Sequence, residues 1–220
     1  KEKCIDCGLC ERKCVVKTVS VEYPRTCYAG VHLDEKIRAK SSSGGMFAAL
    51  AEYTLEQGGV VFGAAVVPKG KIVTVKHIMI KNKEELKKLQ GSKYVQSDIR
   101  ECYTNVKQQL AEGKKVLFSG TPCQVAAMKN YLGKEYAKLY LQDIVCHGVP
   151  SPKIWREYKN YRSNNSKLTE MSFRSKKEEG WSKYHISMKF GNGKKYNTRH
   201  DKDTYIMAFL SHLALRESCT

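Results

Sequence analysis

Long hydrophobic runs are missing from this sequence. Its longest apolar stretch extends from Val60 to Val67 and is interrupted by Gly63, whereas a membrane-spanning helix needs about 20 such residues. The sequence also lacks an aromatic RNP-like strand and a helix-turn-helix pattern, which argues against nucleic acid as a partner. With 220 residues and a hydrophobic fraction of 41%, we expect a globular protein with one sizeable core, a small appendage and no membrane span.

Acidic residues are scarce as well. The chain has 22 Asp and Glu against 39 Lys and Arg, which gives a formal charge of +17. Two basic groups stand out, Lys81, Lys83, Lys87 and Lys88 in the first and Arg174, Lys176 and Lys177 in the second. Such side chains usually form a solvated face. They also suit anionic partners, namely the phosphates of a cofactor or an acidic redox protein.

A start methionine is absent, because the first residue is Lys1, and the last residues, Arg216 to Thr220, directly follow a predicted helix. We therefore expect both ends to be cut from a longer protein. A removed signal peptide stays open as an alternative at the N-terminus.

Cysteine, by contrast, is abundant. The nine cysteines are an odd number, and four of them lie close together near the N-terminus. A secreted disulfide scaffold would be shorter and would distribute its cysteines in pairs. The close spacing instead predicts metal ligation in a reducing compartment, so we expect a cytoplasmic protein.

The run Cys4-x-x-Cys7-x-x-Cys10-x-x-x-Cys14 predicts a 4Fe-4S cluster. Two-residue gaps let one loop supply thiolates to three corners of the cluster, and the fourth cysteine of such runs ligates the other cluster in two-cluster ferredoxins. We therefore expect Cys4, Cys7 and Cys10 to share one cluster and Cys14 to serve a second one. Val15 stands where proline is usual. Zinc is the alternative, although it favours two separated cysteine pairs.

Hydrophobic periodicity predicts strands that alternate with helices. Helices are expected at 44–57, 83–90, 98–111, 122–132, 152–161 and 203–215, and strands at 60–67, 72–80, 115–119, 139–145, around Phe173 and at 185–190. This order favours an α/β fold with a mixed sheet flanked by helices, and α+β stays open. The predicted domains are a partial ferredoxin-type 4Fe-4S segment at 1–22, a polar connector at 23–40 and the main domain at 41–220.

Glycine-containing motifs lie where ligands usually bind in such folds. Ser41 to Gly45 precedes a helix, whose N-terminus suits a phosphate, although Ser43 could simply cap the helix. Gly120 to Cys123 and Cys146 to Gly148 each follow a predicted strand, so both motifs could line one crevice at the carboxyl ends of the sheet. Cys27 and Cys102 are interpreted as packing residues, and the two tryptophans as core or interface residues.

Four motifs together carry a resemblance to a known family. They are Ser41-Ser42-Ser43-Gly44-Gly45, Gly91-Ser92-Lys93-Tyr94-Val95-Gln96-Ser97, Gly120-Thr121-Pro122-Cys123-Gln124 and Asp143-Ile144-Val145-Cys146-His147-Gly148-Val149-Pro150. In this order they resemble the coenzyme F-420 hydrogenase/dehydrogenase beta-subunit family. The resemblance implies an iron–sulfur flavoprotein oxidoreductase subunit that passes electrons between 4Fe-4S clusters, FAD and a hydride carrier. The carrier would be coenzyme F-420 or a bacterial substitute, and the partners a redox protein or other oxidoreductase subunits.

The resemblance also implies roles for individual residues. FAD would be bound by Ser43, Gly44, Gly45, Lys93, Gly120 and Thr121, catalysis would involve His147 and Cys123, and further cluster ligands would be Cys123, Cys146 and Cys219. The family's cysteine pattern around Cys219 continues shortly afterwards, so we expect the main domain to be incomplete at its C-terminus. As an alternative to these roles, Cys123 and Cys146 could be buried and inert. Two other classes of protein stay open: a non-catalytic electron-transfer module, in which clusters shuttle electrons but no flavin binds, and a zinc-bearing binding module.

Overall fold

A four-stranded mixed sheet forms the first layer of the fold. The computed structural model describes residues 4–15, 26–69 and 72–219. The strands are β1 (Val60–Lys69), β2 (Ile72–Ile80), β3 (Val116–Gly120) and β4 (Leu139–Asp143), in the order β2-β1-β3-β4. β1 pairs with β2 antiparallel, whereas β1 with β3 and β3 with β4 are parallel. The mixed sheet expected from the sequence is therefore confirmed.

Seven helices lie within the described residues and are labelled in chain order. They are α1 (Leu9–Arg12), α2 (Glu35–Lys40), α3 (Met46–Glu56), α4 (Cys102–Ala111), α5 (Pro122–Leu132), α6 (Pro152–Ser163) and α7 (Thr204–Leu210). Short 3-10 helices occupy Lys83–Lys88, His200–Lys202 and Glu217–Cys219. No helix in the described ranges is both long and apolar enough to cross a bilayer.

Helices cover both faces of the first sheet. On one face, Ala51 of α3 packs with Val61 and Leu117 of the strands. On the other face, α4 and α5 bury Val106 and Met128 against the sheet. This burial of apolar side chains on both faces explains why the two parallel inner strands, β1 and β3, consist largely of apolar residues.

A second, antiparallel sheet follows, with strands β5 (Leu168–Ser175), β6 (His185–Phe190) and β7 (Lys195–Arg199) in that order. Its core contains Trp155 of α6, which is 2% exposed, together with Ile186 and Tyr205. The sequence reading did not predict β7, because its residues Lys195-Tyr196-Asn197-Thr198-Arg199 have little apolar alternation. β7 is an edge strand paired with β6 alone, which suits such a polar composition.

Several predicted boundaries were wrong for identifiable reasons. The predicted helix at 98–111 begins only at Cys102, because the backbone of Asp98 is hydrogen-bonded to β2. The predicted helix at 203–215 ends at Leu210, and His212 then adopts a left-handed conformation with φ 65°. The predicted strand at 139–145 ends at Asp143, since its neighbour β3 ends at the paired Gly120.

Other expectations also need correction. The connector predicted at 23–40 contains α2, whose N-terminus is capped by Asp34, and residues 16–25 lie outside the described residues. The predicted helix at 83–90 is a 3-10 helix. Cys102 is buried as expected, but Cys27 is exposed and therefore is not a packing residue.

Asp203 is a fully buried carboxylate that holds the second sheet to α6 and α7. One of its oxygens accepts hydrogen bonds from the hydroxyls of Tyr158 and Tyr196, the latter at 2.8 Å. Its other oxygen accepts the backbone N–H of Ile206 at 2.9 Å and so caps α7. Arg162 donates to the Tyr158 hydroxyl at 3.1 Å. The carboxylate thus has partners on both oxygens, as a buried charge requires.

We expect Asp203→Ala to lower the free energy of unfolding by about 2–4 kcal/mol, because two tyrosine hydroxyls and one backbone N–H lose their acceptor inside the protein. Urea unfolding followed by circular dichroism measures the loss. Asp201→Ala is the matched control, since Asp201 is an exposed partner of Arg199, and its loss should stay below about 1 kcal/mol. Equal losses in the two variants would contradict this role for Asp203.

Candidate functional site

The segment Gly91–Ser97, called the central loop below, contacts the first sheet's helices through side chains. The Ser92 hydroxyl donates to the Ser42 hydroxyl at 2.9 Å. At the other end of the loop, the Gln124 side-chain amide donates to the Ser97 hydroxyl at 2.9 Å. These bonds bring the segment before α3 and the start of α5 to the same loop.

The central loop also contacts the second half of the fold. The backbone N–H of Gln96 donates to the Pro150 carbonyl at 3.2 Å. The Tyr205 hydroxyl, on α7, donates to the Tyr94 carbonyl at 2.6 Å. The ring of Tyr94 stacks on Phe209 with 4.9 Å between centroids. The loop therefore lies between the two sheets and fixes their neighbouring segments to each other.

Lys93 directs its ammonium group into the protein rather than to solvent. Its Nζ donates to the carbonyls of Leu89 at 2.6 Å and Gln90 at 2.9 Å. Burial lowers the pKa of Lys93 to about 7, because the charged form loses solvation that two neutral carbonyls do not replace. Lys93 is therefore a cation for which a bound anion would be stabilising.

Arg174, near the end of β5, lies between two aromatic rings. Its guanidinium carbon is 4.9 Å from the ring centroid of Trp181 and 4.4 Å from that of Tyr184. One terminal nitrogen donates to the Tyr94 hydroxyl at 3.4 Å. The Arg174 Nε is buried and has no hydrogen-bond partner among the described residues. A buried unsatisfied donor is costly, and a ligand oxygen would satisfy it.

Lys176 and Trp181 bind the segment that precedes α3. The Lys176 ammonium donates to the carbonyls of Ser41 at 2.5 Å and Arg38 at 3.4 Å. The Trp181 indole N–H donates to the Ser42 carbonyl at 3.0 Å. Burial, and secondarily the neighbouring guanidinium, lowers the pKa of Lys176. Trp181 is 58% exposed, so it is a contact residue and not part of the core.

We call Lys93, Arg174 and Lys176 the cationic cradle. Within the described parts of the chain, none of the three forms an ion pair with a carboxylate. All three instead use neutral carbonyls, a hydroxyl or aromatic faces. The charge of Arg174 contributes to the lowered pKa of Lys176, so these two cations lie near each other, whereas Lys93 lies near His77. Cations without carboxylate partners can bind a phosphate or carboxylate ligand. The sequence reading selected Lys93 but assigned Arg174 and Lys176 only to a basic group.

Gly44 and Gly45 allow the segment before α3 to pack closely against Gly30 and His32. The Gly44 carbonyl accepts from His32 N at 2.7 Å, and a Cβ on Gly44 would lie 2.8 Å from the Gly30 carbonyl oxygen. Gly45 has φ 89° and is itself the N-cap of α3. The alternative that Ser43 caps this helix is therefore wrong. Ser43 is exposed and follows Ser41 and Ser42, whose carbonyls accept from Lys176 and Trp181.

The carboxyl end of β3 lies beside the central loop. The Gly120 carbonyl accepts from the backbone N–H of Ile144, and the Thr121 hydroxyl is 3.1 Å from the Cys123 sulfur. His77, which sequence reasoning missed, places Nε2 3.1 Å from the Ser119 carbonyl. Desolvation lowers the pKa of His77 to about 4, so it is neutral near pH 7. The only available signal was its position in the apolar alternation of β2.

Three cysteines that follow strands or end the chain approach one another. Burial raises the pKa of Cys146, and the nearby Cys123 and Cys219 raise it further. Cys219 lies against Gly148, because a Cβ on that glycine would be 3.3 Å from the Cys219 Cβ. Cys123 and Cys146 are exposed rather than buried and inert. The fold therefore gathers the thiols of the two strand-end motifs at the same end of the first sheet.

His147 is exposed and packs edge-to-face against α7. Its ring centroid is 5.0 Å from Phe209 and 4.5 Å from His212. These contacts define a structural role, and its expected catalytic role stays a prediction.

The cysteine segment at 4–14 docks on the C-terminal end of α5. The Lys13 ammonium donates to the Asn130 carbonyl at 2.7 Å, and the Asn130 side-chain amide donates to the Lys13 carbonyl at 3.3 Å. Gly8, with φ 66°, turns the chain into α1. Cys4, Cys7 and Cys10 are exposed and form no disulfide. Their donor chemistry and spacing fit an iron–sulfur cluster. Among residues 4–15, 26–69 and 72–219, no three His, Cys, Asp or Glu side chains have converged to hold a single ion.

Comparison with known proteins identifies the class of protein. The family model for the N-terminal part of the coenzyme F420 hydrogenase/dehydrogenase beta subunit matches residues 27–102, and the model for its C terminus matches residues 113–220. The chain belongs to the coenzyme F420 hydrogenase/dehydrogenase beta-subunit family. The recognition made from the sequence motifs is thereby confirmed, whereas the cysteine run at 4–14 lies outside the matched residues.

A solved structure supports the fold. The chain is similar to a chain in the xenon-derivatised F420-reducing [NiFe] hydrogenase complex from Methanosarcina barkeri, with a TM-score of 0.55 and 19% identity. The match covers 91% of this chain and 68% of the other. No curated protein sequence matches the chain.

We expect the stability of cofactor-free protein, relative to a Lys93→Met variant, to rise between pH 7 and pH 9.5. The folded pKa of Lys93 is about 7, whereas the unfolded value is ~10.4. In this window the unfolded chain binds a proton that the folded chain does not, so stability increases with pH by at most about 1.4 kcal/mol per unit. Urea midpoints at both pH values measure the difference.

Lys177→Met is the matched control for this measurement, because Lys177 is exposed. Its stability should run parallel to that of the wild type across the same pH range. A Lys93→Met variant that also ran parallel would show that this ammonium group is not desolvated.

Proposed function

We propose that the chain is an iron–sulfur flavoprotein subunit of a hydrogenase- or dehydrogenase-type oxidoreductase, with FAD bound at the cationic cradle. The observation that carries the proposal is the set of three cations around the central loop, with no ion pair to a carboxylate among the described residues. The pyrophosphate of FAD supplies the anionic oxygens that such a set requires. Membership in the beta-subunit family supports the redox assignment.

The residues around the cradle fit a flavin nucleotide. The buried Arg174 Nε lacks an acceptor, and a pyrophosphate oxygen would provide one. Gly44 has no side chain of its own, which lets the segment before α3 approach the Gly30 carbonyl closely. Gly120 and Thr121 end β3 on the side of the central loop, where open α/β sheets bind ligands. Ser43, Gly44, Gly45, Lys93, Gly120 and Thr121 thus stay the proposed FAD contacts, to which Arg174 and Lys176 are added.

Bound FAD exchanges hydride with two-electron carriers and single electrons with iron–sulfur clusters. The chain's own contribution is to bind the anionic part of the cofactor and to exclude water from it. His147 follows β4 at the carboxyl end of the first sheet and is proposed to exchange a proton with the substrate. The hydride carrier is proposed to be coenzyme F-420 or a bacterial substitute, and the partners are proposed to be other subunits of a complex.

We expect Arg174→Gln to weaken FAD binding about 10- to 100-fold, because it removes a charge-assisted contact worth about 1.5–3 kcal/mol. Quenching of FAD fluorescence on titration with apoprotein gives the dissociation constant. Arg156→Gln is the matched control, since Arg156 is half-exposed on α6 and pairs with Glu157. Unchanged FAD affinity in Arg174→Gln, or absence of FAD binding by the wild type, would contradict the proposal and favour a module without flavin.

The cysteine segment is proposed to hold a 4Fe-4S cluster through Cys4, Cys7 and Cys10, with Cys14 serving a second cluster. Thiolates at this spacing can reach several iron atoms of one cluster, and the three exposed thiols are accessible for its assembly. Cys123, Cys146 and Cys219 are proposed as a second ligand set, which the proximity of Cys146 to the other two thiols supports. A reducing compartment such as the cytoplasm would keep all of these thiols reduced.

We expect Cys7→Ser to lose most of the iron and acid-labile sulfide that the wild type contains after anaerobic reconstitution, because an alcohol is a poor ligand for this cluster. Cys27→Ser, at an exposed cysteine outside both proposed ligand sets, should retain the wild-type content. Iron, sulfide and zinc are quantified in all three proteins. Zinc without iron or sulfide in the wild type would instead support a zinc-binding module.

A further inference from the structure

The two proposed redox sites lie at opposite ends of α5. Cys123 is in the first turn of this helix, whereas the cysteine segment is fixed at its last turn through Lys13 and Asn130. The helix has 11 residues, which corresponds to a length of roughly 16 Å. Because α5 follows β3 and leads back toward the start of β4, its C-terminal end lies at the amino edge of the sheet. The cradle is at the carboxyl edge, so the cysteine segment forms a separate surface.

Exposed lysines surround this docking point. Lys129 and Lys134 flank the Asn130–Gly133 turn that Lys13 contacts, and the Lys107 ammonium is 6.0 Å from the ring centroid of the adjacent Tyr131. We call Lys13, Lys107, Lys129 and Lys134 the lysine collar. None of the four forms an ion pair with a described carboxylate. Glu135 is exposed nearby and does not pair with them.

Other basic parts of the surface differ in this respect. Along the 3-10 helix at 83–88, Lys83 pairs with Glu56 at 2.6 Å and Lys88 pairs with Glu85 at 2.5 Å. The charge of that helix is therefore largely compensated within the chain. The charge of the lysine collar is not compensated by ion pairs with described carboxylates, although charged groups of both signs normally mix on a protein surface.

Apolar side chains are exposed at the same end of the molecule. Within the cysteine segment, Ile5 is 85% exposed and Leu9 is 53% exposed. Tyr131, next to the docking residue Asn130, is 43% exposed. Exposed apolar groups with a charged rim are the usual composition of a protein–protein contact. A cationic rim selects an acidic partner, because complementary potentials speed association and disfavour basic proteins.

We propose that the lysine collar and the exposed apolar side chains of the cysteine segment form a docking surface for a small acidic electron-transfer protein. This inference rests on the proposed function, since the cysteine segment gives such a partner a redox centre to meet. The docking surface itself consists of described residues and can be tested by binding alone. Its location puts electron exchange with the partner at the amino edge of the sheet, away from the hydride carrier at the carboxyl edge.

The test measures the affinity of the whole chain for a purified acidic two-cluster ferredoxin by isothermal titration calorimetry at low ionic strength. The collar variant carries Lys107→Glu, Lys129→Glu and Lys134→Glu, and it keeps Lys13 because that residue holds the segment. The control variant carries Lys194→Glu, Lys195→Glu and Lys202→Glu. These control lysines are exposed and lie in or beside β7 and the following 3-10 helix, so the two variants have the same change in net charge.

We expect the collar variant to bind the ferredoxin at least tenfold more weakly than the wild type, and the control variant to change by less than about threefold. The difference should shrink as salt is raised, because exposed charges are screened. Equal weakening in both variants would overturn the proposal, as would failure of the wild type to bind. Equally tight binding of parvalbumin, an acidic protein without a redox centre, would overturn the assignment of an electron-transfer partner.

The iron, sulfide and FAD contents of the three proteins are determined before the titrations. Normal contents together with unaltered binding in the collar variant would refute the docking surface and leave the proposed function intact. If all three proteins lacked the cofactors and only the collar variant lost ferredoxin binding, the docking surface would be supported and the proposed function would be refuted.

Discussion

The hydrogen bonds of the central loop Gly91–Ser97 are the constraint on which the rest of the architecture depends. Ser92 and Ser97 bind the helix starts of the first sheet, whereas Gln96 and Tyr94 bind segments of the second half. A short loop that is held on both sides loses little entropy when a ligand binds, because it is already ordered. The loop can therefore present Lys93 at a fixed position between the two sheets.

The cationic cradle costs stability in the ligand-free chain, and the proposed binding of an anionic cofactor would account for this cost. Lys93 and Lys176 are desolvated by burial and donate to carbonyls that carry no charge, and Arg174 leaves one buried donor unsatisfied among the described residues. Each feature costs free energy in the ligand-free chain. Residues that lower the stability of the ligand-free protein in this way are often found at functional sites. An anionic cofactor would offset all three costs at once, which is why the cradle is the strongest functional feature of the fold.

Sequence alone was sufficient where structure depends on local spacing. The helix start at Pro122 and the alternation of the main strands depend on residues close together in the chain, whereas the cluster expected at Cys4–Cys14 stays a prediction. The cradle was found only in part, because it depends on contacts between distant parts of the chain: Trp181 and Ser42 are 139 residues apart, and Arg174 and Tyr94 are 80 residues apart. β7 was not predicted, because an edge strand does not need an apolar face. The prediction that Cys27 is a packing residue was wrong, because burial of an isolated cysteine depends on tertiary contacts.

One anionic cofactor is proposed to be held where the two halves of the fold meet at the central loop. The most direct test is hydrogen–deuterium exchange of the whole chain with and without FAD, because slowed exchange reports backbone groups that a ligand orders. The account predicts that FAD increases protection together at 41–45, 91–97 and 174–181, and leaves the cysteine segment at 4–14 unchanged. Protection confined to other segments, or no change at any of these three, would contradict it.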